Sequence, residues 1–134
     1  YNHVRLATSS TRIMYQTDYQ PGGTLIAVTD DYIGRIIKTG SNKDMGRWSF
    51  TRMLGKQGRQ IVIVSTYQAV INKQIFNDLD DQLAEWIDKG HEIILSGDLN
   101  QELERDVTGF ARITAKWNLV KIIQHRHGVE GKPP

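Results

Sequence analysis

The hydrophobic period of this 134-residue chain changes once, near residue 70, and that change limits the folds open to it. Before it, apolar residues alternate with polar ones or run in short blocks, the pattern of strands. Residues 24–29 (TLIAVT) follow Pro21-Gly22-Gly23, and residues 33–38 (IGRIIK) follow Asp30-Asp31. Residues 47–54 alternate with Trp48, Phe50 and Leu54 on one face, and residues 59–67 (RQIVIVSTY) return as a strongly apolar strand. Gly55-Lys56-Gln57-Gly58 between the last two is a hairpin turn signal. Four strands joined by short turns predict an antiparallel sheet.

After residue 70 the spacing becomes three and four. Ile71, Ile75, Leu79, Leu83, Trp86 and Ile87 make one stripe, with Asp78, Asp81, Glu85 and Asp88 between them. That is an amphipathic helix with a solvated acidic face. Lys89-Gly90 supplies a basic last turn and a glycine stop. Strand 92–97 follows at once. A second helix is expected near 107–117, with Asp106 or Thr108 to cap it and Val107, Phe110, Ile113 or Thr114, and Trp117 inward. Residues 119–123 (LVKII) read as a further strand.

Strands, then helix, strand, helix, strand predict an α+β fold: a layered β-sandwich of mainly antiparallel strands flanked by helices. Residues 1–134 are read as one domain. Single-domain sandwiches often run to roughly 200–250 residues, and the chain opens on Tyr1 and closes on Pro133-Pro134. The expectation is therefore the central part of a larger domain, incomplete at both ends.

Cysteine is absent, so disulfides and thiolate metal sites are excluded within the chain. There is no apolar run long enough to span a membrane and no visible signal peptide, so no membrane partner and an intracellular location are expected. The net charge of +2 hides an asymmetry: residues 1–70 carry nine Lys/Arg against four Asp, while residues 71–134 carry an excess of acid. A basic first half suits a polyanion. A mixed solvated surface explains the same count.

The chemistry concentrates at strand ends. Residues 92–100 read Glu-Ile-Ile-Leu-Ser-Gly-Asp-Leu-Asn. Here a buried-looking strand, Ile93-Ile94-Leu95, ends with Asp98 and Asn100 two positions apart. In extended chain those two side chains share a side. A carboxylate beside an amide, both anchored to a core strand, can hold a metal-bound water or a phosphate oxygen. Gly-Asp-x-Asn is equally the composition of an ordinary turn. Tyr67 ends the apolar strand 61–64 and its extension, and its phenol can donate to an oxyanion; a Tyr at the core rim looks the same. Arg47 could meet a phosphate in bidentate fashion, or be a surface Arg. Gly22-Gly23 lacks the helix that a phosphate loop needs and reads as a turn.

In this order and spacing, the segments resemble the endonuclease/exonuclease/phosphatase superfamily, with its DNase I-like fold. The matching stretches are Gly22-Gly23-Thr-Leu-Ile-Ala-Val, Gly46-Arg47-Trp48, Ile61 to Tyr67, an amphipathic helix, and Ile93 to Asn100. Gly-Asp-Leu-Asn looks like that family's Gly-Asp-Phe-Asn. Gln-Pro-Gly-Gly-Thr, Met45-Gly46-Arg47-Trp48 and His91-Glu92-Ile93 look like the endonuclease domains beside reverse transcriptases in retroelements.

The resemblance implies magnesium-dependent hydrolysis of phosphoesters, with manganese as a substitute ion. Asp98 would orient or deprotonate the attacking water. Asn100 would bond the phosphate and help place Asp98. Tyr67 would contact the scissile phosphate, Arg47 would bind substrate, and Asp98 and Asn100 would also hold the metal. The partner implied is nucleic acid, DNA before RNA, with a nuclear stage if the retroelement likeness holds. Two departures stand out. The family's early metal-binding Glu and its closing Ser-Asp-His motif find no match here, and Gln124-His125-Arg126-His127-Gly128 is not that motif. The 134 residues alone are therefore expected to be inactive. Two other functions fit the same residues: a non-catalytic nucleic-acid-binding remnant of the fold, and a phosphatase of small phosphoesters.

Overall fold

The computed structural model describes residues 3–10, 22–42, 46–67, 73–98 and 110–122, without the side chains of 73–76 and 110. It divides into two compact units, Tyr1–Asn100 and Gln101–Pro134. The first holds a two-stranded antiparallel sheet, β1 (Val4–Ser10) with β2 (Gly23–Thr29). It also holds a four-stranded sheet, β3 (Ile36–Ser41), β4 (Trp48–Leu54), β5 (Gln60–Tyr67) and β6 (Glu92–Asp98), in that order. The β3–β4 and β4–β5 pairs are antiparallel, and β5–β6 is parallel. Helix α1 (Lys73–Asp88) makes the crossover between β5 and β6, as a parallel pair requires. The fold is thus a mixed α+β sandwich with mostly antiparallel sheets.

Three expectations about strands need correction. Residues 33–35 belong to a 3₁₀ turn, Asp30–Arg35, and the strand starts at Ile36. Asp30 turns the chain with φ 50° and donates its N–H to the His3 carbonyl at 3.2 Å. The strand at 24–29 does not join the other three; it pairs with β1, which periodicity had not singled out. Residues 119–122 form no strand, and Val120 and Ile122 are exposed.

The local signals that held are those with a defined geometry. The β4–β5 hairpin closes through Gly55 N–H to Arg59 O at 2.7 Å and Arg59 N–H to Lys56 O at 3.1 Å. Helix α1 ends where Gly90 adopts φ 73°, a conformation glycine reaches without a Cβ penalty. Gly90 N–H then donates to Ile87 O at 2.8 Å and His91 N–H to Trp86 O at 3.0 Å, filling carbonyls the helix end would leave bare. Lys89 and Glu85 pair one turn apart at 2.5 Å, and that bond, helped by Gln82, holds the Glu85 carboxyl below its usual range.

The four-stranded sheet is covered on both faces. Leu79, Leu83 and Trp86 of α1 are buried, as the stripe predicted, over Trp48, Phe50, Val62 and Val64. Trp86 meets Phe50 at 4.8 Å between centroids and Trp48 edge-on at 6.4 Å. Aromatic packing of this kind makes Phe50→Ala cost about 3–5 kcal/mol. Gly40 belongs to the same cluster: a Cβ there would lie 2.5 Å from Phe50 Cε1.

The opposite face meets the two-stranded sheet through small and polar side chains. Ala7, Ser9, Thr24 and Val28 are buried against Ser49 and Thr51, both fully enclosed. Thr24 Oγ1 donates to Ser49 Oγ at 3.0 Å and Ser9 Oγ to the Asn42 carbonyl at 2.6 Å, tying sheet to sheet. The expected apolar strand 93–95 is only partly covered, with Ile94 45 % exposed. Asp78 is not merely part of a solvated face, since it accepts a bond from Asn42 Nδ2 at 3.1 Å.

In the second unit, helix α2 (Phe110–Lys116) falls inside the expected 107–117 span. It ends at Asn118, φ 51°, with Leu119 N–H donating to Thr114 O at 2.8 Å. Trp117 is half-buried with Lys116 Nζ over its ring at 4.6 Å. The proposed caps at Asp106 and Thr108 lie outside the described residues, as do Ile71, His125 and His127. Among the described residues, no helix is long and apolar enough to cross a membrane.

Candidate functional site at the ends of β5 and β6

Because β5 and β6 run parallel, their C-terminal ends finish side by side. Tyr67, the last residue of β5, stands in register with Asp98, the last of β6. Neighbouring strands lie about 4.8 Å apart, so a phenol and a carboxylate begin from adjacent backbone positions. On the other side, Tyr67 N–H donates to the Arg47 carbonyl at 2.8 Å, one step beyond the Trp48–Thr66 pair. Arg47, Tyr67 and Asp98 therefore form a row across three strand ends. Residues 31 positions apart and 20 positions apart in sequence are brought together by register alone.

Alternation gives the row its facing. Ser49 bonds Thr24 of the two-stranded sheet, and Ser65 and Ser96 stand in register with it. Tyr67 and Asp98, two residues further along their strands, share that face. Asp98 is exposed, whereas Tyr67 and Arg47 are half-buried. Among the described residues, the buried Arg47 Nη1 has no hydrogen-bond partner. A buried guanidinium nitrogen without an acceptor is costly, and an anionic oxygen is its natural complement. Asn100, the fourth residue expected here, lies outside the described residues, and β6 ends two positions before it.

The donor set bears on the magnesium expectation. Among the described residues, no group of three or more His, Cys, Asp or Glu side chains converges. Asp98 supplies one exposed hard oxygen ligand. That suits magnesium, which commonly takes one or two carboxylates and completes its shell with water and substrate phosphate.

Sequence reasoning passed over Gly97 and Thr66. Gly97 has φ 153°, and a Cβ on it would fall 1.9 Å from the Thr66 carbonyl oxygen. The signal was present: a glycine inside a strand pattern marks a close backbone approach. The turn-like composition of Gly-Asp-x-Asn hides that signal.

No family model, no curated protein and no solved structure matches this chain.

Proposed function

We propose that this chain carries the phosphate-handling centre of a metal-dependent phosphodiesterase, most simply an endonuclease acting on DNA, built on a DNase I-like sandwich. The observation that carries the reading is the in-register pairing of Tyr67 with Asp98 at two parallel strand ends. Arg47, whose Nη1 has no partner among the described residues, stands beside the pair. The strand order and the Gly-Asp-Leu-Asn stretch support it from the sequence side.

In this reading Asp98 orients the attacking water and takes its proton. The carboxylate is exposed, so a water molecule can reach it. Tyr67 Oη donates to a non-bridging phosphate oxygen as charge builds on it. Arg47 binds an adjacent phosphate oxygen, which gives its Nη1 an acceptor. Asn100 adds an amide donor that does not repel the phosphate. A magnesium ion held through Asp98, and through Asn100, would supply charge neutralisation and a more acidic water. The reaction also requires a second acid and a general acid for the leaving group.

The test is nicking of supercoiled plasmid by the full-length protein, with magnesium and with chelator, beside Asp98→Ala. Magnesium-dependent nicking that the substitution removes is the expected result. Salt-dependent DNA binding without nicking would instead favour the second reading, a binding remnant of the fold, for which the basic first half speaks.

A further inference from the structure

The row of site residues is held by a contact one step beneath it. Thr66 and Gly97 are the register pair immediately before Tyr67 and Asp98. Thr66 is 5 % exposed, and its Oγ1 donates across the strand gap to the Ser96 carbonyl at 3.2 Å. Opposite it, Gly97 lacks the atom that would collide with Thr66: a Cβ would approach Thr66 O to 1.9 Å, Thr66 C to 2.7 Å and Thr66 Oγ1 to 2.5 Å. Two features thus draw β5 and β6 together at this row, a side-chain bond to the backbone and a missing side chain. The next residue on each strand is the one proposed to touch phosphate.

We propose that Thr66 is a positioning residue, which through its bond to Ser96 O over the bare Gly97 sets the spacing of Tyr67 against Asp98. The proposal rests on the phosphodiesterase reading for its kinetic consequence, but not for its structural one. Thr66 touches no reacting atom. Its hydroxyl fixes the peptide from Ser96 to Gly97, and that peptide leads directly into Asp98. Small displacements of a general base are costly, because proton transfer and in-line attack need the reacting atoms close to contact distance.

The experiment uses Thr66→Val, which keeps the β-branched shape and removes the hydroxyl, and Thr66→Ser, which keeps the hydroxyl. Three quantities are read in the full-length protein: hydrogen exchange of the 96–98 amides, thermal unfolding, and kcat and KM for plasmid nicking. The valine variant is expected to fold with a melting temperature close to wild type and to exchange at 96–98 about tenfold faster, the equivalent of one hydrogen bond of ordinary strength. Its kcat is expected to fall about tenfold with KM little changed, and serine restores both.

Exchange at 96–98 unchanged by valine would overturn the proposal. So would faster exchange with an unaltered kcat, or a serine variant no better than valine. Should the wild-type protein prove unable to nick DNA, the phosphodiesterase reading fails. The exchange comparison between valine and serine then still decides whether Thr66 fixes the strand end.

Discussion

The two ends of the four-stranded sheet are built from similar residue types and put them to different uses. At the end carrying the β4–β5 hairpin, charged groups meet charged or polar partners. Arg59 pairs with Glu92, and Arg52 Nη1 lies 3.3 Å from His91 Nε2. At the other end Arg47, Tyr67 and Asp98 form a row in which Arg47 Nη1 has no acceptor among the described residues and Asp98 is exposed. An unpaired nitrogen alone does not separate the ends, because Arg52 Nε is also buried without a partner among the described residues. What separates them is strand direction. Antiparallel β4 and β5 are joined by a tight turn at the hairpin end, whereas parallel β5 and β6 both finish at the other. Parallel strand ends leave two side chains next to each other, as at ligand sites on parallel sheets.

Four substitutions probe that difference. The largest effect is expected from Asp98→Ala, which should lower nicking by the full-length protein at least about a hundredfold, the scale of a lost general base. Its melting temperature should hardly move, since an exposed strand-end side chain carries little stability. Tyr67→Phe should cost about 10²-fold in kcat if its hydroxyl meets the developing charge; a wild-type kcat would leave Tyr67 as packing only.

Arg47→Ala should weaken DNA binding and reduce the slope of log affinity against log salt by about one. An unchanged slope would mean that Arg47 does not reach a phosphate.

The smallest effect belongs to the hairpin end. Burial, with Arg52 and Lys89 nearby, holds the His91 imidazole below its ordinary value of 6.5. The unfolded chain therefore takes up a proton more readily than the folded one. Stability is expected to fall as pH drops through about 6.5 toward the lower folded value, with no contribution from this group above that range. His91→Gln should flatten the pH dependence of the melting temperature between pH 7 and 5 and leave nicking unaltered. A steep dependence that survives the substitution would place its origin elsewhere.

What could be read from the sequence follows the range of the interactions. Helix α1, its Lys89-Gly90 stop and the hairpin at residues 55–58 rest on neighbours in the chain, and they stand where periodicity and turn chemistry put them. β1 escaped because its alternation is inverted. Val4 and Leu6 are exposed, while Ala7 and Ser9 are buried beneath the facing sheet. The same holds in β4, where Ser49 and Thr51 are fully enclosed. Two sheets in close contact select small side chains, and hydropathy does not mark those as core.

The apolar runs before them mark Asp98 and Tyr67 as two separate strand ends. Their meeting depends on the parallel register of β5 with β6, a pairing across 31 residues that no local pattern specifies. The Asp98–Asn100 pair suggested by the i, i+2 rule rests on a residue outside the described ones.

The claim at the centre is that Tyr67 and Asp98 work as one site because register makes them neighbours. A double-mutant cycle on nicking by the full-length protein tests it most directly, with Tyr67→Phe, Asp98→Ala and the two combined. Residues acting on one phosphate should be strongly non-additive, so the double variant is expected to be no slower than Asp98→Ala alone. Losses that multiply independently would contradict the account, as would a Tyr67→Phe enzyme indistinguishable from wild type.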